Sequence, residues 1–125
     1  MGVYTGIAQD NVNITSGNAV LQSARVTNNA PPAIKTASFT LGANENFVIC
    51  NGSAAIVTVT LPAASSAPGR VVTIKNLSAT YTVVSASSNV KPIGTDTAGT
   101  TICAAAAGAW AMLVSDGTNW VIMAS

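Results

Sequence analysis

The stretch AAIVTVTL (54–61) sets Val57, Val59 and Leu61 on one face of an extended chain and Thr58 and Thr60 on the other. A repeat of two residues keeps one face apolar only in a β-strand. It runs into PAASSAPG and then RVVTIKN (70–76), where Val72 and Ile74 point one way and Val71, Thr73 and Lys75 the other. Pro68-Gly69 between them suits the centre of a type II turn, because proline presets φ and glycine accepts a positive φ.

The same grammar extends over most of the chain. TASFTL (36–41), NFVIC (46–50), TYTVVSA (80–86), TTICA (100–104), AWAMLVS (109–115) and NWVIMAS (119–125) read as further strands, separated by turn residues. Asp116-Gly117 marks a tight hairpin between the last two. CAAAAGA (103–109) favours helix by composition but is too short to stand as one, and its small residues suit close backbone approach, for instance near an oligomer axis. Turns at this spacing predict an all-β fold, an antiparallel sandwich or jelly-roll-like domain. A trimeric β-prism is the other all-β arrangement considered.

Residues 1–33 differ. Their apolar positions are scattered and they end in Pro31-Pro32, a pair that holds the chain extended and cannot donate ladder hydrogen bonds. We expect an extended N-terminal arm over 1–33 and a β-rich module over 34–125, the alternative for 1–33 being a first strand of the same sheet.

Charged residues make up 7% of the 125, with a formal net charge of +1. The five cations, Arg25, Lys35, Arg70, Lys75 and Lys91, are scattered, whereas a nucleic-acid surface needs them clustered. A surface of Ser, Thr and Asn with so little charge repels other proteins weakly and tolerates close assembly. The N-terminus has no secretory-signal pattern, and the longest apolar run, ICAAAAGAWAMLV, falls short of the roughly 20 residues of a membrane helix. These features lead us to expect a soluble protein with neither a nucleic-acid nor a membrane partner.

Catalytic groups are sparse. There is no histidine. Asp96 and Asp116 could in principle act as a glycosidase pair, but their settings, GTDTAG and SDGTN, are explained by turn formation. Gly94 and Gly99 have P-loop spacing without the lysine that should follow. Cys50 and Cys103 could form one disulfide, yet each lies in an apolar run and reads as a buried free thiol. We therefore expect no catalytic residue, no cofactor and no metal. Tyr4, Tyr81, Trp110 and Trp120 would suit a sugar-stacking platform, but both tryptophans sit in apolar runs and are expected in the core of the final hairpin.

The succession VTVTLPAASSAPGRVVTIKNLSATYTVV, a short Gly-containing stretch and AWAMLVSDGTNWVIM resembles a small all-β module of bacteriophage virion proteins, over roughly residues 44–124. Such modules occur in tail fibres and in proteins that decorate capsids. The resemblance implies a trimeric, protease-resistant β-structure without enzymatic activity, assembled in the host bacterial cytoplasm. It leads us to expect a capsid decoration (cement) protein on the capsid surface, a homotrimer that binds the major capsid protein. Val3, Tyr4, Ile7, Val12, Ile14, Val20 and Leu21 of the arm would be its apolar anchors, and Arg70 and Lys75 rim or intersubunit contacts. The competing expectation is a tail-fibre or head-fibre module that recognises host surface polysaccharide.

Overall fold

The computed structural model describes residues 31–125. The arm expected over 1–33 therefore lies outside the described residues but for its last three, and with it Val3, Tyr4, Ile7, Val12, Ile14, Val20 and Leu21.

Ten short strands carry the described residues: β1 (Ile34–Lys35), β2 (Phe39–Thr40), β3 (Phe47–Cys50), β4 (Val57–Thr60), β5 (Val71–Asn76), β6 (Val83–Ser85), β7 (Val90–Lys91), β8 (Thr101–Cys103), β9 (Trp110–Ser115) and β10 (Trp120–Ala124). They form a six-stranded sheet in the order β1-β3-β5-β9-β10-β7 and a four-stranded sheet in the order β2-β4-β6-β8. One 3-10 turn, Ala64–Ser66, interrupts the PAASSAPG connection. The all-β expectation agrees with this architecture.

The expected antiparallel pairing does not hold throughout. The first six strands alternate between the sheets, so that β1, β3 and β5 run parallel in one and β2, β4 and β6 run parallel in the other. β7 also pairs parallel, with β10. Among the described residues the antiparallel strand pairs are β5 with β9, β6 with β8, and the β9–β10 hairpin, and an isolated antiparallel bridge joins Val90 to Gly99. The chain thus winds in stacked coils, each contributing one strand to each sheet, before closing with antiparallel strands. Two coils keep one register throughout: Val48 pairs with Ile74 and Val57 with Val83, in both cases 26 residues further on.

The physical reason for the miss is simple. Alternation reports which face of a strand is buried and is silent on the direction of its neighbour. Here the strands from β2 onward turn one face to a common core, so a coil and a meander leave the same pattern. The connection between β3 and β4 crosses from one sheet to the other instead of folding back as a hairpin.

That core draws on both sheets. Val48, Cys50, Val72, Ile74, Ala111, Leu113, Trp120 and Ile122 from the larger sheet meet Val57, Val59, Val83, Ile102 and Cys103 from the smaller. The inward settings of Val57, Val59, Leu61, Val72 and Ile74 agree with the sequence alternation. Cys50 and Cys103 are both buried free thiols.

Candidate interaction surface

The Pro68-Gly69 turn is built as its residues suggest. Gly69 has φ +80°, and the Arg70 amide donates to the Ala67 carbonyl at 3.1 Å, closing a type II turn. This aims the Arg70 side chain across to the 42–46 turn. Its Nη2 donates to the carbonyls of Gly42 (2.7 Å) and Glu45 (3.0 Å), and its Nε to Asn46 Oδ1 (3.4 Å). The guanidinium thus clamps the turn that leads into β3. Arg70, expected at the rim or at an intersubunit contact, makes these bonds within its own chain.

The described acids are likewise engaged in local structure. Glu45 pairs with Lys35 at 2.7 Å and accepts the Gly42 amide at 2.8 Å, and these two contacts hold its carboxyl below the ordinary value. Asp96 accepts from Lys91 at 2.6 Å. Asp116 accepts the amides of Thr118 and Asn119 at 2.8 and 2.7 Å, which stabilise its charged form and lower its pKa. Asp116 therefore holds its own turn, as the sequence suggested, whereas Asp96 is paired with Lys91 of β7.

The cysteines are equally placed for packing. Cys50 is fully buried, and Cys103 is buried with its Sγ 3.6 Å from the Ile74 carbonyl. Burial pushes their thiols up to about 11 and about 12, respectively. At neutral pH each is a protonated, apolar group and a poor nucleophile. Among the described residues no group of three or more His, Cys, Asp and Glu is positioned to hold a metal ion. No described helix is long and apolar enough to cross a membrane.

The two tryptophans part company. Trp120 is fully buried and donates from Nε1 to the Pro62 carbonyl at 2.9 Å. Trp110, expected beside it in the core, is 42% exposed. Strand parity decides this: Ala111, Leu113 and Ser115 of β9 point inward, so Trp110, Met112 and Val114 point out.

Trp110 belongs to a broad apolar face. On the outer side of the six-stranded sheet, the register lines up three rows across the strands. Ile34, Ile49, Lys75 and Trp110 form the first, Phe47, Thr73 and Met112 the second, and Val71, Val114, Val121 and Lys91 the third. Ile34, Phe47, Val71 and Met123 are 58%, 56%, 44% and 59% exposed, so no other described residue covers this face. Its cations are Lys75, near the end of β5, and Lys91, which Asp96 holds at the far edge. A shallow depression of about 280 Å³, lined by Pro32, Phe47, Val48, Ile49, Thr73 and Lys75, lies at one end. Of the paired expectations, Lys75 is on this face and Arg70 is engaged elsewhere.

Sequence reasoning missed the face although a signal was present. In WAMLVS both parities are apolar, so a strand with one side in the core must show apolar side chains on the other. No protein-family model, no curated protein and no solved structure matches this chain.

Proposed function

We propose that this chain is a non-enzymatic structural protein of a bacteriophage virion, a capsid decoration protein that binds the assembled head and stabilises it as a homotrimer. The observation that carries the reading is the uncovered apolar face of the six-stranded sheet on a chain with 7% charged residues. Such a face is a contact surface in search of another protein, since exposed apolar patches of this breadth are rare on monomers. The resemblance of residues 44–124 to virion modules supplies the context, and the two sheets would then be packed in threes about a common axis, as in a β-prism. The partner is the major capsid protein, and no reaction or cofactor is involved. Multivalent attachment by a trimer makes modest contacts strong through effective concentration.

The test is to mix the purified full chain with capsids that lack it. Cosedimentation and a gain in heat resistance are expected. Capsids that neither retain the protein nor resist heat better exclude the decoration role.

A second reading has its own observation. Trp110 is exposed beside Lys75 in the cross-strand register, a planar apolar ring with a hydrogen-bond donor near it. That pairing suits stacking on a sugar ring, as in a tail-fibre or head-fibre module that recognises host polysaccharide. Titration with host surface polysaccharide checks it, through the emission of Trp110.

A further inference from the structure

We infer that the outer face of the six-stranded sheet is buried against the same face of a second copy of this chain. The inference deepens the assembly reading above, on which it rests for the self-associating character of the chain, and names the surface that assembles.

Size is the first argument. Six strands about 4.8 Å apart, averaging about four residues at about 3.3 Å each, give a face of roughly 29 Å by 14 Å. Two such faces pressed together cover roughly 800 Å² in projection, and more as accessible surface because the side chains stand out from the sheet, which brings the contact to about the 1,000 Å² that a biological interface needs.

Charge is the second. The three cross-strand rows hold no acid, and Lys91 is already neutralised by Asp96. A partner rich in charge finds nothing to pair with there, whereas an apolar sheet face fits, and the chain itself supplies one. Lys75 does not oppose this. It lies near the end of β5, where a flexible four-carbon stem can lie along apolar surface and keep its ammonium in water.

Shape is the third. The face is a β-sheet surface with side chains of alternating size, and two such surfaces interdigitate at about 10 Å separation. Phe47 on β3, Trp110 on β9 and Met123 on β10 stand out from it as knobs, with Thr73 between them as a hollow.

The two tryptophans make the test specific. Trp120 is fully buried within the chain, so its emission is constant, while Trp110 reports the face. With the full chain, light scattering at micromolar concentration is expected to give a mass at least twice the 12.4 kDa of one copy. Tryptophan emission is expected to shift to the blue, and acrylamide quenching to fall, as concentration rises. The double variant Phe47→Lys/Met123→Lys is expected to be monomeric, whereas Ile56→Lys, an exposed apolar site in the connection to the four-stranded sheet, keeps the wild-type mass. A monomeric wild type, or a double variant that still associates, overturns the inference. Should the double variant fail to fold, the concentration dependence of wild-type emission decides alone: no shift overturns it. A monomer whose Trp110 responds to polysaccharide assigns the face to sugar and also overturns it. None of these measurements involves a capsid, so self-association stands or falls separately from cosedimentation.

Discussion

The side-chain amide of Asn76 donates to the Ala104 carbonyl at 2.8 Å, tying the end of β5 to the alanine-rich loop 28 residues further along the chain. The same Nδ2 donates to the Tyr81 carbonyl at 2.9 Å, and Oδ1 accepts the Ser78 amide at 3.0 Å. Main-chain contacts complete the junction, since the Asn76 amide donates to Ala109 and its carbonyl accepts from Gly108. Asn76 is fully buried. Asn76→Ala strands two partly buried carbonyls and one buried N–H, so a loss of about 2 kcal/mol is expected in urea unfolding. Asn76→Asp is expected to be at least as damaging at neutral pH, because a carboxylate would face two carbonyl oxygens. A loss below about 1 kcal/mol for Asn76→Ala would mean that water replaces the amide.

Two glycines separate backbone strain from crowding. Gly69 has φ +80° and an added Cβ there meets nothing within 4 Å, so Gly69→Ala carries only the left-handed penalty, about 1 kcal/mol. At Gly52 the Cβ would stand 2.6 Å from the Ala55 carbonyl oxygen and 3.2 Å from Val57 Cγ2. Backbone must move to admit it, and Gly52→Ala is expected to cost about 2 kcal/mol. Thermal unfolding of the two variants side by side checks the order, and equal losses contradict it.

Much of the fold was legible in the sequence because β-alternation is a local property. VTVTL and RVVTIKN each show their buried faces, and Asp116-Gly117 marks the hairpin between β9 and β10. The coil was not legible, because the pairing of Val48 with Ile74 and of Val57 with Val83 is set by where connections cross, and those connections are sequence-poor in constraint. NGSAAI and LSATYT have equal length and little in common chemically, so the repeat is one of spacing. The candidate face was half legible. Alternation in RVVTIKN puts Lys75 with Val71 and Thr73 on the outer side, but the hydrophobicity of its run points Trp110 to the core, when its parity with Met112 and Val114 decides its side. Arg70 could be placed at the head of its strand, but its acceptors lie in the 42–46 turn, distant in sequence.

That clamp predicts that Arg70 and lysine are not interchangeable. One guanidinium reaches two carbonyls and a side-chain amide at once, whereas an ammonium is a point donor on a flexible stem. Arg70→Lys is expected to lose about 2 kcal/mol of stability and Arg70→Ala somewhat more. Hydrogen exchange should locate the loss at the 42–46 turn and β3, and an unchanged exchange rate there contradicts the clamp.

Glu45 contributes to the slope of the acid limb of stability, as Asp116 does. Its native carboxyl titrates below the ordinary value of 4.5, chiefly through the hydrogen bond from Lys35 and then through the Gly42 amide. The unfolded chain therefore takes up the proton first as pH falls. The stabilisation is present above about pH 4.5 and is lost as pH drops through the lowered native value. Glu45→Gln should flatten this part of the stability–pH curve and lower stability at neutral pH by about 1 kcal/mol, the range of a partly exposed pair. A slope unchanged in Glu45→Gln rules out this source.

The cysteines contribute to the alkaline limb. Their native thiols are raised from 9.0 to about 11 for Cys50 and about 12 for Cys103, because burial disfavours the thiolate. Above pH 9 the unfolded chain releases these protons while the folded chain keeps them, so the proton balance favours unfolding. Stability is therefore level below pH 9 with respect to these groups and declines between about pH 9 and 12. Replacing both by alanine should remove most of this decline, at the cost of two small cavities that lower stability at every pH. The native protein at pH 8 is also expected to react with an aromatic disulfide reagent only as fast as it opens, and to titrate two thiols once unfolded. Rapid labelling of either thiol at pH 8 under native conditions contradicts the burial that sets both effects.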